Sequence, residues 1–348
     1  MNKKVLLGMS GGVDSSVSAI LLLKQGYEVI GATMILYEEK DRTSTISDAK
    51  KVCNKLGIEH HVIDLSQEFK KRVIDNFVCS YMCAKTPNPC VECNKYMKFN
   101  AFYEVAKKLD CEYIATGHYA KIEYSEKYKQ YVLLKSGAET KDQTYFLYGI
   151  NKEILPHVIF PLANFKSKEE IRKIAEENGL EVAQKKDSQE VCFISDNNYV
   201  EFVEKYNKEN NQKCGNIVLE NGKIIGKHTG LINYTIGQRK GLGISYKEPL
   251  YVLALDKKNN QVVVGPETSL YKNVLITNEL NFLLDIDISK KMKVKAKIRY
   301  RSKEAEALMS VNNDLAKLEF IEPQRAITPG QSVVFYIDNI LLGGGKII

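Results

Sequence analysis

Residues Gly8-Met9-Ser10-Gly11-Gly12-Val13-Asp14-Ser15-Ser16 decide how this chain folds. The apolar run Lys4-Val5-Leu6-Leu7 before them reads as a buried parallel strand, and Val17-Ser18-Ala19-Ile20-Leu21-Leu22-Leu23 after them as a helix ending near Gly26. A glycine-rich turn between strand and helix lets backbone approach a ligand closely. The free N–H groups at the helix start, with the positive end of the macrodipole, favour an anion. Ser10, Ser15 and Ser16 add hydroxyls. The stretch reads as a phosphate-binding loop.

The type of loop follows from what it lacks. A kinase- or GTPase-type loop, G-x-x-x-x-G-K-[ST], needs a lysine for the β- and γ-phosphates; here Asp14 stands near the helix start and no lysine occurs until Lys24. The stretch does not match G-x-G-x-x-G either. A pyrophosphate cradle with a carboxylate able to hold Mg²⁺ suits cleavage of ATP between its α- and β-phosphates. Ser10 to Ser15 resembles the S-G-G-x-D-S pattern of the PP-loop ATP pyrophosphatases. That resemblance implies ATP held by Gly8, Met9, Ser10, Gly11, Gly12, Val13, Asp14 and Ser15, with Mg²⁺.

Outward from the loop, strand-like and helix-like stretches alternate. Residues 27–34 read as a strand, 46–56 as a helix stopped by Gly57, 59–65 as a strand and 67–81 as a helix. A loop with Pro87 and Pro89 follows, then a helix over 99–109 and a short strand over 113–116. Such alternation implies a Rossmann-like, doubly wound parallel sheet, α/β in class. Ligands in these sheets sit at the carboxyl ends of strands, so Met34 and Gly117 are candidates to meet adenine and ribose. Ser167-Lys168-Glu169-Glu170 is a capping box opening a helix to Asn178, with Gly179 as its stop. Residues 185–194 lead to a last α/β element, and a helix near 198–206 closes the unit.

Beyond the polar linker Asn207-Lys208-Glu209-Asn210-Asn211-Gln212-Lys213 the character changes. Short strands are expected over 217–219, 223–225, 251–256 and 261–264, with Asn221-Gly222 as a hairpin turn. Between them, Thr235 to Gly243 is a glycine-rich basic loop. From about Leu275 only β patterns remain. Residues 291–301 alternate: Lys293, Lys295, Lys297, Arg299 and Arg301 on one face, Met292, Val294, Ala296, Ile298 and Tyr300 on the other. A strand over 331–337 and turns at Asn312-Asn313 and Asp338-Asn339 complete a small closed barrel. The expected division is a catalytic domain over 1–206, a central β-rich domain over 207–273 and a C-terminal β-barrel over 274–348. A chain of 348 residues is long enough for two or three domains.

Net charge is +7 (50 basic against 43 acidic residues), which permits a polyanionic partner without requiring one. The basic strand face is a candidate RNA-phosphate surface, or simply a solvated face. No apolar run approaches the roughly 20 residues that span a bilayer. The first apolar run stops at Gly8, so no secretory leader is expected. A cytoplasmic protein with no membrane association is the expectation. Eight cysteines in that setting suggest thiols, metal ligands or redox chemistry.

Cys53 and Cys111 fall on apolar positions and read as structural; Cys214 lies by the linker. Thr86-Pro87-Asn88-Pro89-Cys90-Val91-Glu92-Cys93-Asn94-Lys95 reads as a rigid loop, its two prolines discouraging helix until Asn94. Cys93 would then sit near a helix start, where a thiolate is stabilised and its pKa falls below about 8.5. Cys192 lies far downstream beside Phe193-Ile194. A nucleophilic thiolate with a distant second cysteine is the arrangement for disulfide-coupled sulfur transfer.

Taken together, Ser10 to Ser15, Thr86 to Asn94, Ala115-Thr116-Gly117-His118-Tyr119, Lys141-Asp142-Gln143, Asp187 to Ile194, Thr235 to Gly243, Arg299-Tyr300-Arg301 and Pro329-Gly330-Gln331 resemble the tRNA-specific 2-thiouridylase family. The resemblance spans essentially the full length. It implies ATP-dependent replacement of O2 of the wobble uridine by sulfur, through an adenylated uridine, with release of AMP and pyrophosphate. It implies Cys192 as the persulfide carrier, supplied by a sulfur-donor protein, and Cys93 as the nucleophile that leaves a Cys93–Cys192 disulfide. Asn88, Pro89 and Cys90 would line a flipped-out base. His118, Lys141, Asp142, Gln143, Arg299, Tyr300 and Gln331 would contact tRNA.

Two departures stand out. The position of Cys90 is often aspartate in that family, and Ala84-Lys85 replaces the usual Gly-Arg. With Cys90 present, Cys90, Cys93 and Cys192 offer an alternative ligand set for an iron–sulfur cluster with one open iron. Two other readings compete. An amidating PP-loop synthetase would share only Ser10 to Ser15. An RNA-binding protein with a zinc site on Cys79, Cys83, Cys90 and Cys93 would leave the PP-loop and Cys192 unexplained.

Overall fold

A computed structural model describes residues 3–37, 42–138, 141–184, 191–194, 198–207 and 213–348. Strand β1 (Lys4–Gly8) is the centre of a five-stranded, wholly parallel sheet. Its partners are β2 (Glu28–Ile35), β3 (Glu59–Asp64), β4 (Tyr113–Ala115) and the two-residue β7 (Val158–Ile159), in the order β3-β2-β1-β4-β7. Between β4 and β7 in the chain lie β5 (Ala120–Ser125) and β6 (Gln130–Lys135), which belong elsewhere. Side chains of a strand point alternately to its two faces. Val5 and Leu7 enter a core with α1 (Val13–Lys24), α2 (Arg42–Leu56) and Ile171 and Ala175, while Leu6 enters a second core with Phe99, Phe102 and Ile114. Both faces are therefore covered, which is why β1 is apolar without alternation.

Helical structure after β3 is interrupted twice by wide turns. The first run is α3 (Ser66–Phe69), a π-helical segment Lys70–Ile74, and α4 (Asp75–Met82). The second is α5 (Pro89–Glu92), a π-helical segment Cys93–Ala101, and α6 (Phe102–Lys108). Helix therefore begins at Pro89, not after Asn94. Pro89 occupies the first helical position, where its missing N–H costs nothing. Cys111 lies in the turn after α6 rather than in a regular element, although it is buried. Helix α7 (Lys168–Glu177) is capped as its sequence implies: Ser167 Oγ accepts the Glu170 N–H at 3.4 Å, and Gly179 takes φ +65° beyond the end. Helix α8 (Tyr199–Tyr206) follows, with Asn198 accepting the Glu201 N–H. Residues 191–194 form a turn, not a strand. Residues 185–190, which carry Asp187 to Glu190, lie outside the described residues.

The central region is a four-stranded sheet of β8 (Gly215–Leu219), β9 (Ile224–His228), β10 (Tyr251–Asp256) and β11 (Gln261–Gly265), ordered β10-β11-β8-β9. The β8–β9 turn uses Gly222 at φ +83°. The C-terminal region comprises β12 (Tyr271–Phe282), β13 (Met292–Lys297), β14 (Ala305–Asn312), β15 (Leu315–Arg325), β16 (Ser332–Ile337) and β17 (Ile340–Ile347). Pairing of β12 with both β15 and β17 closes these six antiparallel strands into a barrel filled by Val294, Ala296, Met309, Leu318 and Phe335.

Two features of this region have no counterpart in the sequence expectations. The β5–β6 hairpin leaves the parallel sheet and joins the barrel edge beside β17, through Ile340 opposite Leu134. Its turn has no glycine or Asn-Gly signal; Lys129 carries the positive φ instead, at 53°. The alternating stretch also stops early, since β13 ends at Lys297 and residues 298–302 form a turn closed by Ser302 N–H to Arg299 O at 3.1 Å. Among the described residues no helix is long and apolar enough to cross a membrane.

Candidate active site

The glycine-rich loop sits at the carboxyl edge of β1, as a parallel sheet requires of a ligand site. Gly11 adopts φ +64°, and a Cβ there would lie 2.7 Å from Thr45 O, so both conformation and space demand glycine. The loop is bound together by its own hydroxyls. Ser15 Oγ accepts the Ser10 N–H at 3.2 Å and donates to Gly12 O at 3.1 Å; Ser16 Oγ donates to Gly12 O at 2.9 Å. Met9 is anchored through Thr33, whose hydroxyl donates to Met9 O at 2.8 Å. Met34 and Gly117 do converge here. The Met34 methyl lies 3.8 Å from where a Gly8 side chain would begin, and a Cβ on Gly117 would sit 3.1 Å from Asp14 and Ser15 backbone.

Asp14 is where the structure adds most to the sequence. Its Oδ1 accepts the Tyr119 hydroxyl at 2.9 Å, and its Oδ2 accepts Lys168 Nζ at 2.5 Å. The lysine that the loop lacks in sequence is thus supplied across the fold, from the first position of α7. Lys168 is 9% exposed, so its ammonium is held in the loop rather than in solvent. The capping box that positions α7 was the available signal, since it places Lys168 at a helix start; nothing in the sequence points that start at Asp14.

The two-proline loop forms the second half of the site. Asn88 is the N-cap residue of α5 and hydrogen-bonds Tyr145. Cys90 is exposed, and Cys93 is 8% exposed. Backbone N–H of Cys93 donates to the carbonyls of Pro89 and Cys90. Burial pushes the Cys93 thiol up to about 11, with Lys98 acting against it. This corrects the expectation of a depressed pKa: desolvation outweighs the helix start, and Cys93 rests as a neutral thiol. Cys93 belongs to an apolar cluster with Phe69, Phe77, Met97, Phe193 and Ile194, flanked by Leu36, Tyr37 and Leu65. Phe193 packs edge-on against Phe69 and Phe77 at 5.7 and 5.3 Å. Cys192, exposed on the neighbouring residue, is thereby carried to the region of Cys93, at the carboxyl edge of β2 and β3. Among the described residues no three His, Cys, Asp or Glu side chains are grouped to hold a metal ion.

The barrel clamps the cysteine loop. Gln331 Nε2 donates to Thr86 O at 3.0 Å and Pro87 O at 3.2 Å, and Thr86 N–H donates to Pro329 O at 2.9 Å. Gly330, at φ +90°, has no room for a side chain because Thr86 backbone would lie 2.9 Å away. Lys346 ion-pairs with Glu92, between the two cysteines, at 3.4 Å and with Glu279 at 2.8 Å.

Several residues expected to face tRNA are engaged inside the protein. His118 Nδ1 lies 2.8 Å from Thr116 Oγ1, packs beside Phe99 and Phe160, and is held neutral by burial. Asp142 accepts from Ser136 N–H at 3.1 Å and Thr144 Oγ1 at 2.6 Å, and burial raises its carboxyl. Gln143 Oε1 accepts the Tyr119 N–H at 3.0 Å, and Lys141 beside it is half-buried. Arg299 donates to Ala326 O and Thr328 Oγ1, both at 2.6 Å, which turns its guanidinium away from the basic strand face. Tyr300 lies 4.5 Å from Phe146, ring to ring. The cations left exposed are Lys293, Lys295 and Arg301.

Comparison with known proteins decides the family. Residues 3–196 match the family model described as tRNA methyl transferase HUP domain, 200–266 the tRNA methyl transferase PRC-barrel domain and 272–347 the aminomethyltransferase beta-barrel domain. The tRNA-specific 2-thiouridylase MnmA of Clostridioides difficile is 46% identical over 357 residues, covering 100% of this chain and 98% of that protein. That of Acetivibrio thermocellus is 47% identical, covering 99% of each. The chain belongs to the tRNA-specific 2-thiouridylase family. Membership of a PP-loop family also implies use of ATP.

Proposed function

We propose that this chain replaces O2 of the wobble uridine of tRNA by sulfur, consuming ATP to AMP and pyrophosphate. The observation that carries the reading is the union, at one sheet edge, of a lysine-assisted pyrophosphate loop with two cysteines far apart in sequence. A methyl transfer, which the family-model descriptions name, would need neither.

The uridine C2 carbonyl is a poor electrophile, and adenylation of its oxygen creates a leaving group. Ser10, Gly11, Gly12 and the start of α1 would hold the phosphates. Lys168 Nζ would move from Asp14 to the charge that develops as pyrophosphate departs. Freed Asp14 is a hard oxygen donor suited to Mg²⁺, with phosphate oxygens completing the shell. Gly8, Met34 and Gly117 would line the adenosine, and Asn88, Pro89 and Cys90 the flipped base. The terminal sulfur of a Cys192 persulfide then attacks C2, and AMP leaves. The Cys93 thiolate attacks Cys192 Sγ; the sulfur–sulfur bond to the nucleotide breaks, its electron pair stays on the 2-thio group, and a Cys93–Cys192 disulfide remains. A sulfur-donor protein reloads Cys192 after reduction. The reading goes with a cytoplasmic location and with the division 1–206, 207–273 and 274–348. In it His118, Lys141, Asp142, Gln143, Arg299, Tyr300 and Gln331 shape the tRNA-facing walls, and the exposed Lys293, Lys295 and Arg301 meet phosphates.

The test is reconstitution with tRNA, ATP and a persulfidated donor, assayed for 2-thiouridine and AMP. Support requires both products in the wild-type protein, and AMP without 2-thiouridine from Cys192→Ser. ADP as the nucleotide product, or 2-thiouridine from Cys192→Ser at the wild-type rate, would overturn the reading.

A further inference from the structure

One peptide at the entrance of the nucleotide loop is held from two sides. Strand β1 ends at Gly8, and Met9–Ser10 is among the first peptides beyond it. Its carbonyl accepts the Thr33 hydroxyl of β2 at 2.8 Å, and its N–H donates to Ser15 Oγ in the first turn of α1 at 3.2 Å. The carbonyl therefore faces the sheet and the N–H faces the helix start. Met9 N–H also donates to Ala32 O at 2.8 Å, which ties the same residue to β2 again. Behind Thr33 stands His60 of β3, its Nε2 2.9 Å from Thr33 Oγ1. The hydroxyl has a single proton and Met9 O can only accept, so that proton goes to Met9 and His60 Nε2–H donates to Thr33. Burial lowers the pKa of His60, and His61 and Lys50 lower it further, so the ring is neutral near pH 7 and its Nδ1 carries no proton. His60 pairs in register with Gly31, where a Cβ would lie 3.2 Å from Met9 Cγ and 2.8 Å from Cys53 Sγ. Thr33 itself is buried.

We propose that Thr33, oriented by His60, is a positioning residue of this enzyme: it fixes the Met9–Ser10 peptide so that the nucleotide loop turns N–H groups, and not a carbonyl, towards the phosphates of ATP. The inference rests on the ATP reading of the loop given above. Successive backbone N–H groups form an anion-binding concavity only while they point the same way. A rotated Met9–Ser10 peptide would aim the Met9 carbonyl oxygen into the loop, where its partial negative charge opposes a phosphate. Gly11 and Gly12 follow at once and resist such a rotation only weakly. The restraint therefore comes from neighbours, Ser15 through the N–H and Thr33 through the carbonyl. Ser15 belongs to the loop, whereas Thr33 and His60 come from the next two strands of the sheet. Loss of the Thr33 hydroxyl leaves two groups without a partner, Met9 O and His60 Nε2–H, and a buried polar group left unpaired is costly.

The experiment is titration calorimetry of the full-length protein with α,β-methylene-ATP, which cannot be cleaved between its α- and β-phosphates. Thr33→Val keeps the shape of the side chain and removes the hydroxyl; it should weaken binding about tenfold. Thr33→Ser should restore the wild-type affinity. His60→Phe should weaken binding about threefold, and His60→Gln, whose amide can donate to the same hydroxyl, should recover it. A merely structural role would lower the melting temperature and the binding stoichiometry of Thr33→Val while its folded fraction kept the wild-type affinity, and that result overturns the proposal. Unchanged affinity in His60→Phe removes His60 from it. NMR of the imidazole nitrogens gives a test on the unmodified protein: the neutral His60 ring should carry its proton on Nε2, and a proton on Nδ1 overturns the relay even if Thr33→Val fails to fold. Failure of the wild type to bind the analogue overturns the ATP reading and this inference with it. Wild-type binding with unchanged affinity in Thr33→Val overturns the positioning role alone.

Discussion

The two halves of the site are built on different principles. The nucleotide loop is local: consecutive residues Ser10 to Ser16 supply its backbone turn, its hydroxyl cross-links and its carboxylate. Tyr119 and Lys168 reach Asp14 from outside. The cysteine loop is assembled from distant pieces. Its thiols come from α5, from the start of the π-helical segment after it and from residue 192, its clamp from the barrel, and its floor from aromatic residues on four helical segments and a turn. The first half is polar and the second largely apolar. A phosphate is recognised by many weak donors that one turn can carry, whereas sulfur transfer needs a dry pocket that no single segment can enclose.

That contrast can be broken most sharply at its chemical centres. Cys93→Ser and Cys192→Ser should each lower 2-thiouridine formation by about 10³-fold or more, since a nucleophile or carrier has no substitute; Cys192→Ser should still form AMP. Retained thiolation in either, assayed by nucleoside mass spectrometry, would end the distinction between carrier and structural cysteines. Next in size is the imported lysine. Lys168→Met should reduce pyrophosphate release about 10²-fold with little change in tRNA affinity, and Lys168→Arg should restore part of it. An unaffected rate would show the nucleotide loop to be wholly local after all.

The clamp predicts a smaller effect. Gln331→Ala removes two hydrogen bonds to the cysteine loop, each worth about 1 kcal/mol. Thiolation should fall about tenfold while AMP formation on tRNA changes less; equal losses in both would mean that the clamp does not act selectively on the cysteine half. The Cys93 thiol, pushed up to about 11, sets a pH signature. Its neutral form prevails below that value and the reactive thiolate grows with pH. Alkylation of Cys93 should therefore accelerate about tenfold per pH unit from 7 to 10, and a plateau near pH 8 would break the assignment. Smallest is the barrel surface: Lys293→Ala and Lys295→Ala should each weaken tRNA binding a few-fold and reduce the salt slope by about 1. An unchanged slope returns that face to solvent.

Local patterns were legible because their physics is local. The strand–loop–helix at residues 4–24, the capping box at Ser167 and the Asn221-Gly222 turn each follow from contacts within a few residues, and each forms as read. Period-two alternation likewise marked β13 and the barrel beyond it. The β5–β6 hairpin was not legible, because Lys129 takes a conformation that carries no sequence signal. Arg299 shares the parity of the exposed lysines, yet the turn at 298–302 rotates it inward onto Ala326 and Thr328.

What the sequence by itself determined is the chemistry available: a glycine-rich, hydroxyl-bearing loop with a carboxylate, a proline-fixed pair of cysteines, a third cysteine downstream, and a basic β-rich end. What only the tertiary structure decided is how those groups meet. It placed Lys168 on Asp14, buried Cys93 beside the Phe193 cluster, left Cys90 exposed one turn away, and made the barrel the clamp of the cysteine loop. The reason is physical. Hydrogen-bonded turns and caps close over three or four residues, so sequence suffices to read them. Burial, desolvation and ion pairing depend on which surfaces are packed together, and that is set by the whole fold.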